Sequence, residues 1–213
     1  MKYCSLGDSC KASYGLQSIG LKTESYPFDW LNSKSEIVKM CIEDGFKDFL
    51  DRSLYYSQVN EYDADRICQH HIYTPFLKFN PTLEKQIFFR HRDPLTVGED
   101  YNYYIRSVDR FKNLLASDED KLFIKTYVNK DLDVSYLDDA LSLTEFLESH
   151  TTNYRMIVIK HSVTGTQSFK AEEHKNLTYV EITSIVESDG GTFHNFTDKS
   201  FFKSLIEHFI KKG

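Results

Sequence analysis

Two adjacent side chains that could act as nucleophiles, Ser9 and Cys10, follow a Gly7-Asp8 pair near the start of the chain. The short apolar run before them predicts a strand, the Gly-Asp-Ser sequence predicts a tight turn, and apolar residues at helical spacing from Cys10 onward predict a helix. The unpaired backbone N–H groups and the dipole of a helix start favour negative charge, including that of a thiolate. The stretch is therefore a candidate active site of a hydrolase or acyl transferase with a Cys or Ser nucleophile.

Such a nucleophile needs a base within hydrogen-bonding reach, and several histidines could supply it. Asn129 follows a predicted central strand and could donate a hydrogen bond to an oxyanion. Asp29 could orient a catalytic partner, although a carboxylate in a loop more often caps a neighbouring backbone N–H. The candidate bases are His70, His71, His161 and His194.

The same turn could instead bind an anion without covalent chemistry, because helix N-termini bind phosphate groups. In this alternative, Gly7 and Asp8 shape the anion site, and arginines bind phosphate or carboxylate groups. The sequence Asp63-Ala-Asp65 resembles the Asp-x-Asp element of many glycosyltransferases, which implies a nucleotide sugar, a divalent metal and a glycan acceptor. A binding module without turnover is a third possibility. The arginines are Arg90, Arg92, Arg106 and Arg110.

Predicted strands and helices alternate along the rest of the chain, with strands at 3–6, 121–128, 154–160 and 177–182. This alternation predicts a three-layer α/β fold, Rossmann-like or flavodoxin-like, with a mainly parallel sheet flanked by helices. Residues 51–98 lack periodicity and are interpreted as an irregular insertion that forms part of the site. Sites of open parallel sheets lie at the carboxyl ends of the strands, where the loops 7–10, 129–133, 161–162 and 189–194 would meet.

The composition restricts the class of protein and its partners. A chain of 213 residues fits a single domain, 1–213, and a net charge of -6 argues against general nucleic-acid binding. Without a signal peptide or about 20 consecutive apolar residues, the chain is predicted to be cytoplasmic and without a membrane span. Four cysteines lack zinc-site spacing, which predicts no metal site, and without a secretion signal they are predicted to be reduced thiols. The hydrolase interpretation needs no cofactor and takes a small-molecule, peptide or glycan substrate.

Two segments, 5–10 (Ser-Leu-Gly-Asp-Ser-Cys) and 26–31 (Tyr-Pro-Phe-Asp-Trp-Leu), resemble the DUF1796 family, which is described as papain-like cysteine peptidases. The resemblance continues through His70-His71 and the Arg106-x-x-x-Arg110 spacing, as far as the strand that begins at 121. It implies Cys10 as nucleophile and His70 or His71 as its partner, although the sequence departs from the His-Asp-Phe that the family tends to show. A papain-like fold, with a helical half and an antiparallel barrel, would conflict with the predicted alternation.

A second, less detailed resemblance concerns the SGNH (GDSL-type) esterases. Gly7-Asp8-Ser9 after the first strand, Asn129 after a central strand and His194 before the last helix resemble their scattered motifs. This resemblance implies Ser9 as nucleophile, Asn129 in the oxyanion hole and His194 as base. The Asp-x-x-His motif of that family is not matched, since Asp189 lies too far from His194.

Overall fold

The computed structural model of the protein describes residues 1–59, 66–77, 87–89, 91–128, 135–187 and 193–211. Five residues of the sequence predictions, Asp63, Asp65, Arg90, Asn129 and Asp189, lie outside the described residues. The strands are β1 (Lys2–Ser5), β2 (Tyr55–Val59), β3 (Arg66–His70), β4 (Lys121–Val128), β5 (Tyr154–Val163), β6 (Ser168–His174) and β7 (Leu177–Ser184). The helices are α1 (Lys11–Ser18), α2 (Ser35–Glu43), α3 (Gly98–Ala116), α4 (Tyr136–Glu148) and α5 (Phe196–Lys211).

A five-stranded sheet with the order β1-β4-β5-β7-β6 forms the centre of the fold. The first four strands in this order are parallel, and β6 pairs antiparallel with β7 at one edge. Val128 pairs with His161 and Val163 with Ser184, so β4, β5 and β7 run to the same side of the sheet, whereas β1 ends beside Ile124 in the middle of β4. The prediction of an α/β fold with a mainly parallel sheet flanked by helices is confirmed.

Helices cover both faces of the sheet because successive residues of each strand point to opposite sides. Leu122 and Ile124 of β4 pack with α1 and α5, whereas Phe123 belongs to the larger core formed with α3 and α4. Gly15 brings α1 close to α5, since a Cβ atom there would lie 2.4 Å from Cδ1 of Ile206. Among the described residues, no helix is long and apolar enough to cross a membrane.

Two local features differ from the sequence expectations. The apolar stripe at 46–50 predicts a continuation of helix, but the chain forms turns there because Gly45 (φ 63°) and Phe46 (φ 64°) are both left-handed. The sequence does not predict the strand β6, because most of its residues are exposed and they do not alternate in polarity.

The insertion contains an antiparallel hairpin. Strands β2 and β3 pair in a separate two-stranded sheet, with Tyr55 opposite His70. Residues 87–89 follow it and contact both this hairpin and the segment after α1 through isolated bridges. The insertion thus packs against the loop that connects α1 to α2.

Candidate active site

The turn between β1 and α1 is built from two left-handed residues, Gly7 (φ 77°) and Asp8 (φ 68°). A Cβ atom on Gly7 would lie 1.8 Å from Oγ of Ser33, so only glycine fits at this position. The Ser33 hydroxyl donates to the carbonyl of Leu6 (3.1 Å) and accepts from the N–H of Asp8 (3.4 Å). The turn is therefore fixed on both sides by one serine from the following loop.

A buried lysine of β4 also stabilises this turn through hydrogen bonds to backbone carbonyls. The Lys125 ammonium donates to the carbonyl of Ser33 at 2.7 Å and to that of Leu6 at 3.5 Å. Burial lowers the pKa of Lys125, and the nearby carboxylate of Asp8 opposes that shift. Asp8 in turn pairs with Lys34 at 3.2 Å. These contacts hold the backbone that leads into Cys10.

Cys10 immediately precedes α1, and its thiol lies close to an imidazole ring. Sγ of Cys10 is 3.1 Å from Nε2 of His91, and the cysteine is 7% exposed. At this distance either the thiol donates to a neutral ring or a protonated ring donates to a thiolate. A thiol beside a histidine at a helix start has the surroundings of a reactive cysteine.

The insertion brings His91 to this position. Phe89 forms antiparallel bridges with Leu31, which follows the only tryptophan, and with Cys68 of β3. Residues 87–89 therefore run between the loop after α1 and the hairpin, and His91 follows two positions later.

Two side-chain amides anchor the segment before His91. The Asn32 amide donates to the carbonyl of Ile87 at 2.8 Å. The amide oxygen of Gln69, a residue of β3, accepts from the N–H of Phe88 at 2.9 Å. His91 itself is exposed, and the segment that precedes it is held by one hydrogen bond from the loop after α1 and one from the hairpin.

Two further aromatic rings adjoin the thiol and the imidazole. The Trp30 ring meets the His91 ring edge to face, with centroids 5.9 Å apart, and meets Tyr14 in the same way at 5.1 Å. Tyr14 belongs to α1 and its N–H donates to the carbonyl of Cys10 at 2.9 Å. The three rings therefore form a continuous aromatic row beside Cys10.

The hydroxyl of Ser9 is engaged inside the protein. Its Oγ is 2.8 Å from Oγ1 of Thr126 on β4 and accepts from the N–H of Lys11 at 3.3 Å. Ser9 is buried. Its side chain thus joins the first turn of α1 to the end of β4.

A buried polar chain begins at Lys11 and crosses the ends of β5 and β7. Nζ of Lys11 is 3.1 Å from Nδ1 of His161, and Nε2 of His161 is 2.7 Å from Oγ of Ser184. The Ser184 hydroxyl donates to the carbonyl of Val186 at 2.8 Å. Burial and the Lys11 charge lower the pKa of His161 to about 3. These contacts assign the neutral ring an accepting Nδ1 and a donating Nε2–H.

The other predicted histidines lie in different surroundings. His70 is buried, with Nε2 at 3.0 Å from the carbonyl of Asp48, and Nδ1 accepts from the N–H of Ile72 at 3.2 Å. His71 is exposed and stacks on Tyr56, with ring centroids 4.5 Å apart. His194 is exposed and lies just before α5.

Asp29 is buried and holds the loop that carries Trp30. Its carboxylate accepts from the N–H of Tyr26 at 2.8 Å and pairs with Lys22. Burial raises the pKa of Asp29, and the Lys22 charge opposes that rise. These contacts are those of a carboxylate that caps a neighbouring backbone group.

The predicted arginines that the structure describes also have partners within the protein. Arg106 is exposed and pairs with Glu99 at 3.8 Å. Nε of Arg110 donates to the carbonyl of Ser25 at 2.9 Å.

Arg92 also has a protein partner, and it lies directly after His91. It pairs with Asp100 at 2.7 Å, and its guanidinium stacks 3.7 Å from the Tyr103 ring centroid. Sequence patterns mark this basic stretch as a ligand-binding element, and His91 is not among the bases that they predict.

A family described as "Putative papain-like cysteine peptidase (DUF1796)" matches residues 1–164, a range that includes Cys10 and His91. The chain belongs to this family. The uncharacterized protein R408 of Acanthamoeba polyphaga mimivirus is 29% identical over 183 residues, which cover 75% of this chain and 77% of that protein. No solved structure matches the chain.

The family description agrees with a hydrolase that uses a cysteine nucleophile. The architecture differs from what the word papain-like implies, since the described sheet is mainly parallel and lies between helices. The glycosyltransferase alternative gains no support from the family or from the viral relative.

Proposed function

We propose that the protein is a cysteine hydrolase or acyl transferase in which Cys10 is the nucleophile and His91 the general acid and base. The contact of 3.1 Å between the thiol and Nε2, at the start of a helix, is the observation that carries the proposal. A nucleophile within hydrogen-bonding reach of a base is the minimal arrangement for covalent acyl transfer. The exposed His91 ring can exchange protons with substrate and solvent.

The geometry supports a two-step reaction on an ester, thioester or peptide bond. His91 takes the Cys10 proton, and the thiolate attacks the carbonyl carbon. Backbone N–H groups at the start of α1 stabilise the negative charge on the carbonyl oxygen. The tetrahedral species collapses to a thioester on Cys10 while the leaving group takes the proton from His91. His91 then deprotonates a water molecule or another acyl acceptor, which attacks the thioester and restores the thiol.

The surroundings favour Cys10 over Ser9 as the nucleophile. The Ser9 hydroxyl already bonds to Thr126 and to the backbone of Lys11 inside the protein. A hydroxyl in this position stabilises the helix start that carries Cys10. Cys10, by contrast, directs its sulfur to the base.

The remaining cysteines make Cys10 readily testable by alkylation. Cys4, Cys41 and Cys68 are buried, and burial raises the pKa of each thiol, that of Cys68 to about 12. Iodoacetamide should therefore modify Cys10 first in the folded protein, as measured by intact-protein and peptide mass spectrometry. Cys10→Ala should remove this modification and any hydrolysis of ester or peptide substrates.

The role of His91 is tested by the rate of the same modification. His91→Gln should slow alkylation of Cys10 at pH 7 by about tenfold or more, because the thiolate loses its partner. His71→Gln is the matched control, since His71 is an exposed histidine that stacks on Tyr56. Equal rates in wild type and His91→Gln would overturn the proposed pair.

A further inference from the structure

The aromatic rings beside Cys10 point to a class of substrate. We propose that Tyr14 and Trp30 bind an aromatic or large apolar substituent of the substrate next to the bond that Cys10 attacks. This inference rests on the proposed function and adds a specificity-determining surface to it. Neither residue takes part in the covalent steps.

Tyr14 stands on the same side of α1 as the thiol. It follows Cys10 by four positions, and its N–H donates to the carbonyl of Cys10, so the two side chains lie one above the other. The Tyr14 side chain is 37% exposed. A substrate that reaches the thiol would pass this ring.

Trp30 completes the surface and is held rigidly. Its neighbours Phe28, Asp29 and Leu31 are all fully buried or nearly so, which fixes the backbone on both sides of the tryptophan. Trp30 itself is half-buried and touches Tyr14 through one edge contact and His91 through another. Because the rings are already ordered, a ligand loses little free energy in arranging them.

The chemistry of the Tyr14 and Trp30 rings indicates which substrate groups they would bind. Aromatic rings attract other rings in offset or edge-to-face arrangements and also bury aliphatic groups. A carboxylate or a small polar group would gain no comparable contact. The favoured substrates are therefore acyl compounds, peptides included, that carry an aromatic side chain beside the reacting carbonyl.

Two simple electrophiles test this preference without knowledge of the natural substrate. The Cys10 thiolate displaces chloride from a chloroacetamide, forming a carbon–sulfur bond and releasing chloride ion. We expect N-benzyl-2-chloroacetamide to modify Cys10 about five to ten times faster than N-(carboxymethyl)-2-chloroacetamide at low concentration. The parent 2-chloroacetamide measures the intrinsic reactivity of the thiol, and intact-protein mass spectrometry gives all three rates.

Variants then assign the preference to the aromatic surface. Tyr14→Ala should reduce the ratio of the benzyl to the carboxymethyl rate at least twofold, and Trp30→Ala should reduce it further, with each rate divided by that variant's own rate with 2-chloroacetamide. Phe169→Ala is the matched control, because Phe169 is another exposed aromatic residue, 49% exposed, on the edge strand β6. The Phe169→Ala variant should prefer the benzyl compound over the carboxymethyl compound to the same degree as the wild type.

The outcomes separate this inference from the proposed function. Suppose that 2-chloroacetamide reacts with Cys10 in a His91-dependent way but the benzyl and carboxymethyl rates are equal. The proposed substrate preference is then wrong, whereas the proposed role of Cys10 as nucleophile is retained. A benzyl preference that survives in Tyr14→Ala and Trp30→Ala also overturns the inference. Failure of 2-chloroacetamide to modify Cys10 would contradict the proposed function itself.

Discussion

Cys10 and Lys11 are neighbours in the chain, yet each contacts a different histidine in a different environment. Cys10 lies against His91, an exposed residue that the insertion supplies. Lys11 is 1% exposed and lies against His161, a residue of the central strand β5 that is 2% exposed. Successive side chains point about 100° apart around a helix, which is how one helix start serves two regions.

The two histidines differ in burial and in the role that we propose for each. With its pKa lowered to about 3 by burial and by the Lys11 charge, His161 stays neutral and holds Lys11 to Ser184. His91 is exposed beside the Cys10 thiol, and in the proposed reaction it takes the thiol proton and passes it on. The proposed chemistry therefore lies with the insertion, whereas the contacts of Lys11 with the sheet stabilise the helix start.

A single substitution in the turn that precedes Cys10 and Lys11 should disrupt the contacts of both residues. Gly7→Ala forces a side chain into a left-handed conformation and against Ser33, where a Cβ would lie 1.8 Å from Oγ. We expect a loss of about 4 kcal/mol or more in the free energy of unfolding, measured by urea denaturation. Gly20→Ala is the control, because Gly20 has φ 74° but nothing within 4 Å of a new Cβ. It should cost about 1 kcal/mol; similar losses at both positions would contradict the steric argument.

Substitution of the two histidines should separate stability from reactivity. His161→Leu removes the acceptor of the buried Lys11 ammonium, so we expect a loss of about 2–4 kcal/mol in the free energy of unfolding. His91→Gln changes an exposed side chain and should alter stability by about 0.5 kcal/mol or less while slowing alkylation of Cys10. The double variant Lys11→Met/His161→Leu should regain part of the lost stability, because it no longer buries the charge. A loss of stability in His91→Gln as large as that in His161→Leu would remove the distinction.

The low pKa of His161 predicts a dependence of stability on pH. In the unfolded chain this ring binds a proton near its ordinary pKa of 6.5, whereas in the folded protein it does so only near 3. The unfolded state therefore binds more protons between these values, and the free energy of unfolding falls as the pH drops through that window. His161 contributes a slope of up to about 1.4 kcal/mol per pH unit. His70, whose pKa burial also lowers, adds a slope of the same sign.

The control for this prediction is a comparison of the pH dependence of stability in the wild type and in His161→Leu. In His161→Leu, which keeps His70, the free energy of unfolding should fall less steeply between pH 6.5 and 3. The slope should be smaller by up to about 1.4 kcal/mol per pH unit, which corresponds to one proton. Chemical denaturation at several pH values measures both slopes. Parallel curves would show that His161 titrates normally in the folded protein.

Local patterns were sufficient to predict most of the fold. Patterns among neighbouring residues predict a strand at 121–128 and an amphipathic helix at 99–116. The structure has β4 at Lys121–Val128 and α3 at Gly98–Ala116. The strand-turn-helix around Cys10 is equally local. The edge strand β6 could not be predicted in this way, because its exposed residues follow no apolar alternation and it exists through pairing with β7.

The proximity of Cys10 and His91 depends on contacts that no local pattern shows. The two residues are 81 positions apart, and they meet because Phe89 bridges both Leu31 and the hairpin strand β3. The sequence marks the stretch around His91 only as a basic cluster before a proline. The histidine pair at 70–71 attracts more notice in sequence, yet His70 is buried and bonded to the backbone of Asp48.

The anchor of the His91 segment gives the smallest and most specific test. Asn32→Ala removes the hydrogen bond of 2.8 Å to the carbonyl of Ile87, a loss of about 1 kcal/mol. We expect alkylation of Cys10 to slow about two- to fivefold, because a less constrained base spends less time in line with the thiol. Thr151→Val is the matched control, since it removes a bond of 2.7 Å from a side chain to the carbonyl of Leu115. Thr151 lies three residues before β5, at the amino-terminal end of that strand and far from Cys10, so this variant should lose similar stability without a change in rate. If both variants alkylate at the wild-type rate, Asn32 does not hold the base in place, and the Gln69 hydrogen bond and the bridges of Phe89 must position His91.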